Sequence, residues 1–450
     1  MKKDSIKITI LGAGSIGSYL GGLMISSEAK VEMIGRESLA KSIKENGLKL
    51  THFKKETIYL QPGKINYGTN NTTISTADII ILTTKSHDTK EAAKIINKYA
   101  KKEALVVSFQ NGVQNTQALK NELAQVVLAG VVPFNVTAKG RGWYHCGTNG
   151  KLALEYSKDP RVLELKSIFD KSGQELTLHN NILSVQWGKL LVNLNNALNT
   201  LAGIPLKSCL SQREYRKSLA LVIEEALLVI RSAGIEPANF GGAHPSKMIK
   251  ILRLPNLPYS LLMRTVVKID EKARSSMLDD LESGKNSELD YLQGEIIKLA
   301  KKNNQKAAYN ILIYKAVEKA FASAEEDKNS VDPSTMEESA MDRLPQPVGY
   351  RLLVIPYYMA AKTKGGVIIP DSTRDRESFA TVAAYVVKLG PDAFKDQNKF
   401  PTGAWCEEKS WVLMGRYAGN RFKVDGLEVR LINDDNIIAT ILDPSDISYV

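Results

Sequence analysis

The sequence contains few of the residues that cross-link small extracellular domains or bind structural metals. Its 450 residues include three cysteines and five histidines. The cysteines, Cys146, Cys209 and Cys406, are far apart and odd in number, which excludes a disulfide framework and a cysteine-rich zinc site and is typical of a reducing cytoplasm. The histidines are scattered without metal-ligand spacing, so the sequence predicts a cytoplasmic protein without a metal centre.

Long apolar runs are also absent from the sequence. A membrane helix needs a run of about 18 or more apolar residues, and the chain has none. The apolar stretch near the N-terminus is short and leads into a glycine-rich turn, which argues against a signal peptide. The 31 glycines and 16 prolines are near average, which excludes collagen-like and low-complexity chains. At ~150 residues per domain, the length suggests about three domains.

The net charge of +11 is unevenly distributed along the chain. Residues 325–342 contain seven acidic residues and one lysine, Arg343 adds one positive charge, and residues 346–450 are balanced with 13 of each sign, so residues 1–324 carry +16. A basic region of this kind can bind nucleic acid. Its lysines, however, alternate with acidic residues along helix-like segments, without interleaved aromatic residues. We therefore expect solvated helix faces, some charge for a polyanionic cofactor, and no nucleic-acid partner.

Strand-like and helix-like patterns divide the chain into three folded regions and a linker. Residues 1–181 begin with short β-branched runs that alternate with helical patterns, which predicts an α/β Rossmann-type domain with a doubly wound parallel sheet. Residues 182–324 keep helical spacing and predict an all-α domain. Residues 325–345 are acidic, polar and interrupted by proline, as in flexible linkers. Residues 346–450 change to short strands joined by turns and predict a small all-β barrel.

A glycine-rich turn follows the first predicted strand and opens the first predicted helix. It consists of Gly12, Ala13, Gly14, Ser15, Ile16 and Gly17. In this context the first glycine allows a tight turn, the second lets the backbone approach a pyrophosphate, and the third lets helix and strand pack closely. The helix N-terminus then faces the anion. The sequence therefore predicts a dinucleotide site, and the alternative is an ordinary glycine-rich turn.

The residue after the second strand indicates which dinucleotide is bound. A site that prefers NAD carries a carboxylate there for the ribose 2′-hydroxyl, whereas this chain has Gly35 followed by Arg36. Because a guanidinium suits a 2′-phosphate, we expect NADPH as the cofactor. The alternative is that Arg36 pairs with Glu37 on the surface. Two further polar residues, Lys85 and Asn111, follow later strands, where ligands bind in such sheets; taken alone, each is more typical of an ordinary loop residue than of a ligand-binding one.

A narrow polar stripe lies along an apolar helix predicted over residues 184–203. Lys189, Asn193, Asn196 and Thr200 fall within about 40° of one line on this helix, while the other faces are rich in leucine. Solvated helix faces usually carry glutamate, lysine and arginine, so the asparagine-rich stripe favours a helix that lines a cleft over an exposed face. A partly desolvated lysine has a lowered pKa and can serve as a general acid.

A second polar segment contains Ser275, Ser276 and, further on, Glu288. Ser287 and Asp290 have the spacing of a capping box, which places Glu288 in the first turn of a predicted helix. From residue chemistry alone, a glutamate at this position is a charge favoured by the helix dipole. A catalytic role for Glu288 is the alternative.

Taken in order, the motifs of the first 325 residues resemble the ketopantoate reductase family (2-dehydropantoate 2-reductase). The resemblance covers about residues 5–322 and rests on GAGSIG, Arg36, TTKSHD, QNGVQN, KLLVN and SSMLDDLESGKNSELDYLQG. It implies NADPH-dependent reduction of ketopantoate to pantoate in pantothenate biosynthesis, with residues 182–324 as the substrate and dimerisation domain. The reductase part would then be a monomer or a dimer.

The resemblance also implies roles for individual residues. Lys189 would donate a proton to the substrate carbonyl oxygen, and Glu288 would hold the substrate hydroxyl and orient Lys189. Asn193, Asn196 and Ser276 would bind substrate, and Lys85 and Asn111 would lie at the cofactor and carboxylate end. Many members carry a second asparagine where this chain has Ala197, with Asn196 as its substitute. A reductase of another 2-oxo acid is therefore the alternative.

The last 105 residues resemble the ten-kilodalton co-chaperonin family of the GroES type. The motifs are PVGYRLLVIP, KTKGGVIIP, YVVKLGPDA and the closing strands from SWVLMG onward, although Gly349 and Tyr350 stand where an acidic residue usually precedes the basic one. The resemblance implies a seven-fold ring that caps a chaperonin large subunit and assists folding. The apolar triplet Val367, Ile368 and Ile369 behind a polar stretch would bind the chaperonin as an extended segment, or it forms an ordinary core strand. One further reading is that the co-chaperonin alone is active and the reductase half is a passenger.

Overall fold

A computed structural model describes residues 6–240, 243–266, 273–328, 341, 343–357, 381–415, 418–424 and 427–443 of the chain. The chain divides into two compact units, Met1–Glu318 and Lys319–Val450. The predicted chaperonin-binding triplet, Val367, Ile368 and Ile369, lies outside the described residues. No described helix is both long and apolar enough to cross a membrane, and the described residues contain no cluster of side chains suited to a metal ion.

The strands of the first unit form two sheets. Those described are β1 (Lys7–Leu11), β2 (Lys30–Ile34), β3 (Leu48–His52), β4 (Ile58–Leu60), β5 (Asn66–Gly68), β6 (Ile79–Leu82), β7 (Leu105–Ser108), β8 (Val126–Val131), β9 (Val136–Gly140), β10 (Trp143–Cys146), β11 (Leu152–Glu155) and β12 (Leu176–His179). The large sheet has the order β12-β11-β8-β7-β6-β1-β2-β5, and the small sheet has the order β4-β3-β10-β9. Neighbours in the large sheet are parallel except β8 and β11.

Helices cover both faces of the large sheet. The first five are α1 (Ser15–Ser26), α2 (Glu37–Asn46), α3 (Thr89–Tyr99), α4 (Asn115–Glu122) and α5 (Pro160–Lys171). Ile10 of β1 packs into a cluster with Leu20 of α1 and Phe169 of α5, whereas the adjacent Leu11 packs on the other face with Ile96 of α3 and Leu119 of α4. Burial on both faces is the arrangement of a doubly wound parallel sheet, as the alternating sequence pattern predicts.

The strand order places three predicted site segments at one edge of this sheet. From β1 the chain continues to β2 on one side and later to β6 on the other. The carboxyl ends of β1, β6 and β7 lead directly to Gly12, the Lys85 segment and the Asn111 segment. Ligands of open α/β sheets bind at such a switch point.

The rest of the first unit is helical within its described residues. The helices are α6 (Ile182–Asn193), α7 (Asn195–Ala202), α8 (Leu206–Ser211), α9 (Arg213–Ser232), α10 (Pro245–Leu252), α11 (Asn256–Val266), α12 (Ser276–Glu282), α13 (Gln293–Lys302) and α14 (Ala308–Lys328), the last of which ends within the residue range of the second unit. The single helix predicted over residues 184–203 is wrong in one respect, because it is interrupted at Leu194. Asparagines with low helix propensity surround this residue, and its carbonyl accepts a hydrogen bond from Gln293 Nε2 at 3.0 Å.

The described part of the second unit contains an antiparallel sheet. Its strands are β13 (Arg351–Pro356), β14 (Thr381–Leu389), β15 (Trp411–Gly415), β16 (Asn420–Val424), β17 (Leu427–Asn433) and β18 (Ile437–Ile441), in the order β16-β17-β13-β14-β15-β18. Successive residues of β13 alternate between two cores, with Leu352 and Val354 in one and Leu353 and Ile355 in the other. This alternation is the two-residue period of a strand buried on both faces, and it confirms the all-β prediction.

Candidate active site

The glycine-rich turn has the backbone geometry that its sequence predicts. Gly12 has φ +91°, and a Cβ there would lie 2.6 Å from the backbone nitrogen of Thr84. A Cβ on Gly17 would lie 2.9 Å from the Gly12 carbonyl oxygen, so helix α1 packs closely against the turn. A Cβ on Gly14 has no heavy atom nearer than 4.0 Å, which leaves open space beside the helix N-terminus. The turn therefore fits a pyrophosphate.

Arg36 lies at the end of β2, as the sequence predicts, and its side chain is exposed. It precedes helix α2 and forms no ion pair with Glu37 in the part of the chain that the structure describes. Gly35 leaves room for the hydroxyl of Tyr67 to donate to the carbonyl oxygen of Ala13 at 2.5 Å. This contact ties the end of β2, next to Arg36, to the glycine-rich turn.

A chain of hydrogen bonds joins Lys189 to Glu288 through Asn111. Lys189 lies on α6 and donates from Nζ to Asn111 Oδ1 at 2.7 Å. Asn111 follows β7 and donates from Nδ2 to Glu288 Oε2 at 3.0 Å. Lys189 and Asn111 are 78 positions apart in sequence, and Asn111 and Glu288 are 177 positions apart. The fold thus brings together three residues that the sequence predicts for one site.

The fourth member of this group, Lys85, is turned toward two carboxylates. Its Nζ lies 2.7 Å from Asp280 Oδ2 and 3.6 Å from Glu288 Oε2. Asp280 lies on α12, within the segment that the sequence singles out, but no role is predicted for it. Lys85 therefore neutralises the carboxylate charge of the site, while Lys189 reaches Glu288 only through an amide.

Burial and these partners shift the pKa values of the three ionisable groups. Burial lowers the pKa of Lys189 to about 8, although the charge of Glu288 opposes this change. Burial alone would raise the pKa of Glu288, but Lys85, Asn111 and Ser86 outweigh it and hold the pKa below its usual value. For Lys85, burial is outweighed by the charges of Glu288 and Asp280, which raise its pKa. The site thus holds a stable carboxylate beside a lysine that can release a proton near neutral pH.

The local structure at Glu288 differs from the predicted capping box. Leu289–Tyr291 is a single 3-10 turn, and Ser287 Oγ accepts from the backbone nitrogen of Leu289 at 3.2 Å. Asp290 instead accepts from the hydroxyl of Tyr314 at 2.6 Å. Glu288 is 5% exposed and its carboxylate enters the buried network, so the interpretation as a charge at a helix terminus is wrong. A pattern of local spacing cannot show a contact with residues about 200 positions away.

The predicted substrate-binding residues lie on the neighbouring helices. Asn193, Asn196 and Ser276 are half-buried, and within the described residues their side chains make no hydrogen bond to the protein. The N-terminus of α12 is held against α7, because the backbone nitrogen of Ser275 donates to Asn199 Oδ1 at 2.9 Å. These half-buried polar groups are available to a ligand, whereas Thr200 is buried and donates to the carbonyl oxygen of Asn196.

Two residues of this network, Ser86 and Asn115, are not predicted from the sequence. Ser86 contacts Glu288 directly, and Asn115 contacts Ser86. The backbone nitrogen and the hydroxyl of Ser86 lie 3.1 and 3.0 Å from Glu288 Oε1. Asn115 donates from Nδ2 to Ser86 Oγ at 3.0 Å. Both residues belong to motifs on which the family resemblance rests, TTKSHD and QNGVQN. Their closeness in sequence to Lys85 and Asn111 is the signal from which they could have been predicted.

The glycine-rich turn and the lysine–glutamate site define the first unit as an oxidoreductase with a Rossmann-type domain. Two family models match it: "Ketopantoate reductase PanE/ApbA" over residues 8–159 and its C-terminal counterpart over residues 181–320. The chain belongs to the ketopantoate reductase family.

Curated and solved relatives agree with this assignment. The 2-dehydropantoate 2-reductase of Pyrococcus horikoshii is 30% identical over 326 residues, which cover 69% of this chain and 96% of that protein. The ketopantoate reductase structure from Ralstonia eutropha is 26% identical, with a TM-score of 0.61 over 71% of this chain and all of that one. A D-mandelate dehydrogenase with NADH, 21% identical with a TM-score of 0.59, shares the fold.

The second unit matches a different family. The model described as "Chaperonin 10 Kd subunit" matches residues 345–441. The co-chaperonin GroES of Caldicellulosiruptor saccharolyticus is 30% identical over 98 residues, which are 22% of this chain and 97% of that protein. The chain therefore joins a ketopantoate reductase region to a GroES-like domain.

Proposed function

We propose that the first unit catalyses the NADPH-dependent reduction of 2-dehydropantoate to pantoate, a step of pantothenate biosynthesis. The observation that carries this proposal is the Lys189–Asn111–Glu288 chain at the carboxyl edge of the sheet, beside the glycine-rich turn. An ammonium with a pKa of about 8 and a buried carboxylate are the groups needed to protonate and orient a 2-oxo acid that carries a hydroxyl.

The proposed chemistry assigns one task to each residue. The substrate carbonyl carbon would receive a hydride, which is the chemistry that NADPH would supply when bound. The Lys189 ammonium stabilises the charge that develops on the carbonyl oxygen and donates a proton to it, which leaves a neutral lysine and the hydroxyl of the product. Glu288 stays ionised and accepts a hydrogen bond from the substrate hydroxyl. Asn193, Asn196 and Ser276, whose side chains are half-buried, bind the rest of the substrate.

The residues of the first βα turn suit NADPH. The open space at Gly14 and the N-terminus of α1 would hold the pyrophosphate. Arg36 would pair with the 2′-phosphate, and its exposed side chain without an ion pair to Glu37 supports this assignment. Lys85 and Asn111 would lie at the nicotinamide and carboxylate end. In addition, the ammonium of Lys85 forms ion pairs with Asp280 and Glu288.

A reductase of another 2-oxo acid is the second candidate for the first unit. Ala197 stands where many family members carry a second asparagine, and it is fully buried on α7. The neighbouring Asn196 is half-buried, which favours it as the substitute. Turnover of 2-dehydropantoate, compared with 2-oxo acids that lack its hydroxyl, discriminates the two candidates, because Glu288 acts on that hydroxyl.

For the second unit we propose a co-chaperonin function. Its domain would form a seven-membered ring that caps a chaperonin large subunit through Val367, Ile368 and Ile369. The six-stranded antiparallel sheet with two buried faces supports a stable β-domain of this family. The three cysteines are unpaired and buried, which suits a reducing cytoplasm for both activities.

Purified full-length protein tests both proposals. Oxidation of NADPH that depends on 2-dehydropantoate supports the reductase, and nucleotide-dependent binding to a chaperonin ring supports the co-chaperonin. Chaperonin binding without any turnover of 2-oxo acids would instead favour a passenger reductase unit.

A further inference from the structure

A buried polar cluster contacts the carboxylate of Glu288 and has no role in the proposed chemistry. We call Ser86, Thr89, Gln110 and Asn115 the Ser86 cluster; each is at most 5% exposed. Gln110 Nε2 donates to Thr89 Oγ1 at 2.9 Å, and Thr89 Oγ1 lies 2.7 Å from the carbonyl oxygen of Ser86. Gln110 in turn accepts from Ser108 at the end of β7. The cluster therefore connects the sheet edge to the Glu288 carboxylate.

Counting protons shows which way the Ser86 hydroxyl points. Its oxygen accepts from Asn115 Nδ2, and two acceptors lie 3.0 Å away, namely Glu288 Oε1 and the carbonyl oxygen of Asn111. A hydroxyl has one proton. The Asn111 carbonyl already accepts from Asn115, and donation to a carboxylate is the stronger bond. We therefore assign the Ser86 proton to the stronger bond, the one to Glu288 Oε1.

Both oxygens of Glu288 are then fixed by donors from the Rossmann domain. Oε1 accepts from the backbone nitrogen and hydroxyl of Ser86, and Oε2 accepts from Asn111. Glu288 itself lies in the helical part of the unit, 202 residues away. A carboxylate held at both oxygens keeps one orientation, and donors on both oxygens favour its charged form.

We propose that Ser86 is a positioning residue of the reductase: its hydroxyl, held by Asn115, orients the Glu288 carboxylate toward Asn111 and the substrate. This proposal rests on the proposed reductase function. Ser86 contacts neither substrate nor cofactor in this role, and it acts through Glu288.

The charged and titratable neighbours of Glu288 are the same in the wild type and in a Ser86→Ala variant, so only the lost hydroxyl sets the direction of the pH effect. Lys85 lies 3.6 Å from Oε2 and is shared with Asp280, Lys189 acts on Glu288 through Asn111, and Tyr291 is a neutral neighbour with a raised pKa caused first by burial. These groups remain in a Ser86→Ala variant. Loss of the hydroxyl removes one donor to the charged form, so the pKa of Glu288 rises and activity is lost at a higher pH on the acid side.

The first test measures kcat/KM against pH for the full-length enzyme with NADPH and 2-dehydropantoate. Ser86→Ala should move the acid limb upward by about one pH unit, as expected for one hydrogen bond to a charged group, with KM for NADPH unchanged. Ser108→Ala is the matched control, because it removes a buried hydroxyl that bonds Gln110 instead, and its acid limb should coincide with that of the wild type. An unmoved acid limb in Ser86→Ala would overturn the proposal.

A second test needs no turnover and separates this proposal from the proposed function. Calorimetry of the substrate-free full chain gives the melting temperature of the first unit for Ser86→Ala, Glu288→Gln and the double variant. Coupled residues give a non-additive shift, whereas strictly additive shifts would overturn the role of Ser86. A wild type that reduces no 2-oxo acid would overturn the proposed function instead, whatever the result of this cycle.

Discussion

Lys189 and Glu288 form no direct ion pair; the side chain of Asn111 lies between them, 2.7 Å from the ammonium and 3.0 Å from the carboxylate. The carboxylate charge is neutralised by Lys85 instead. A lysine in direct contact with a carboxylate has a raised pKa, whereas the separation lets burial lower the pKa of Lys189 to about 8. The Asn111 amide thus holds Lys189 and Glu288 in fixed positions relative to each other without raising the pKa of the lysine above its ordinary value.

The first prediction concerns the proton donor. Lys189→Ala should lower kcat by about 10²–10⁴, the range for loss of a general acid. The measurement is NADPH oxidation with saturating 2-dehydropantoate. Lys171→Ala, at the exposed end of α5, is the matched control and should keep the wild-type rate. A near-normal kcat in Lys189→Ala would make Lys189 a structural residue.

The second prediction concerns the alkaline side of the pH profile. Lys189 must be protonated to act, so kcat/KM should fall about tenfold per pH unit above its pKa of about 8. The charge of Glu288 raises this pKa, and Glu288→Gln should therefore move the alkaline limb to lower pH as well as reduce the rate. Glu295→Gln, which changes a buried carboxylate paired with Lys298, should leave the limb in place. An alkaline limb that moves upward in Glu288→Gln contradicts this assignment.

Local signals in the sequence were sufficient for part of this site. The glycine-rich turn and Arg36 follow directly from adjacent residues, and the spacing of Lys189 and Asn193 on one helix face is a local property. The interruption at Leu194 depends on Gln293, 99 residues away, and no helical periodicity contains that contact. The same holds for Ser86 and Glu288, which meet only because the sheet edge and the helical part fold against each other.

The third prediction concerns cofactor preference. Arg36→Ala should raise KM for NADPH by about 10- to 100-fold, since one charge-assisted contact contributes ~1.5–3 kcal/mol. Use of NADH, which lacks the 2′-phosphate, should change little. Lys41→Ala, at an exposed position of the following helix α2, controls for the loss of one positive charge. Equal kcat/KM of the wild type with both cofactors would contradict an NADPH site.

The fourth prediction concerns a buried cation, Arg216, that no sequence motif singles out. Arg216 is fully buried on α9 and donates to four backbone carbonyls, those of Leu210, Ser211, Leu252 and Leu254, and to Asn256 Oδ1. Its guanidinium lies 3.9 Å from the ring centroid of Tyr259. It therefore joins the ends of several helices.

Arg216→Met should destabilise the first unit by about 3 kcal/mol or more, because several buried acceptors lose their donor at once. Calorimetry of the full chain measures the drop in melting temperature, and kcat below that temperature should stay near the wild-type value. Arg213→Met, at the exposed start of the same helix, should have little effect on either. Equal melting temperatures for the two variants would show that the carbonyls are satisfied without Arg216.

The last prediction concerns assembly of the second unit. If it acts as its family does, the full chain should form a heptamer through the β-domain and bind a chaperonin when ATP or ADP is present. Ile368→Asp should abolish that binding and leave the ring intact, because a charge in an apolar groove costs several kcal/mol. Thr363→Asp, in the polar stretch before the triplet, is the matched control and should still bind.

Native mass spectrometry of full-length protein reads both the ring and the complex. A monomer at micromolar concentration without chaperonin binding would remove the co-chaperonin function, whereas a ring that binds equally well with Ile368→Asp would place the contact elsewhere in the domain.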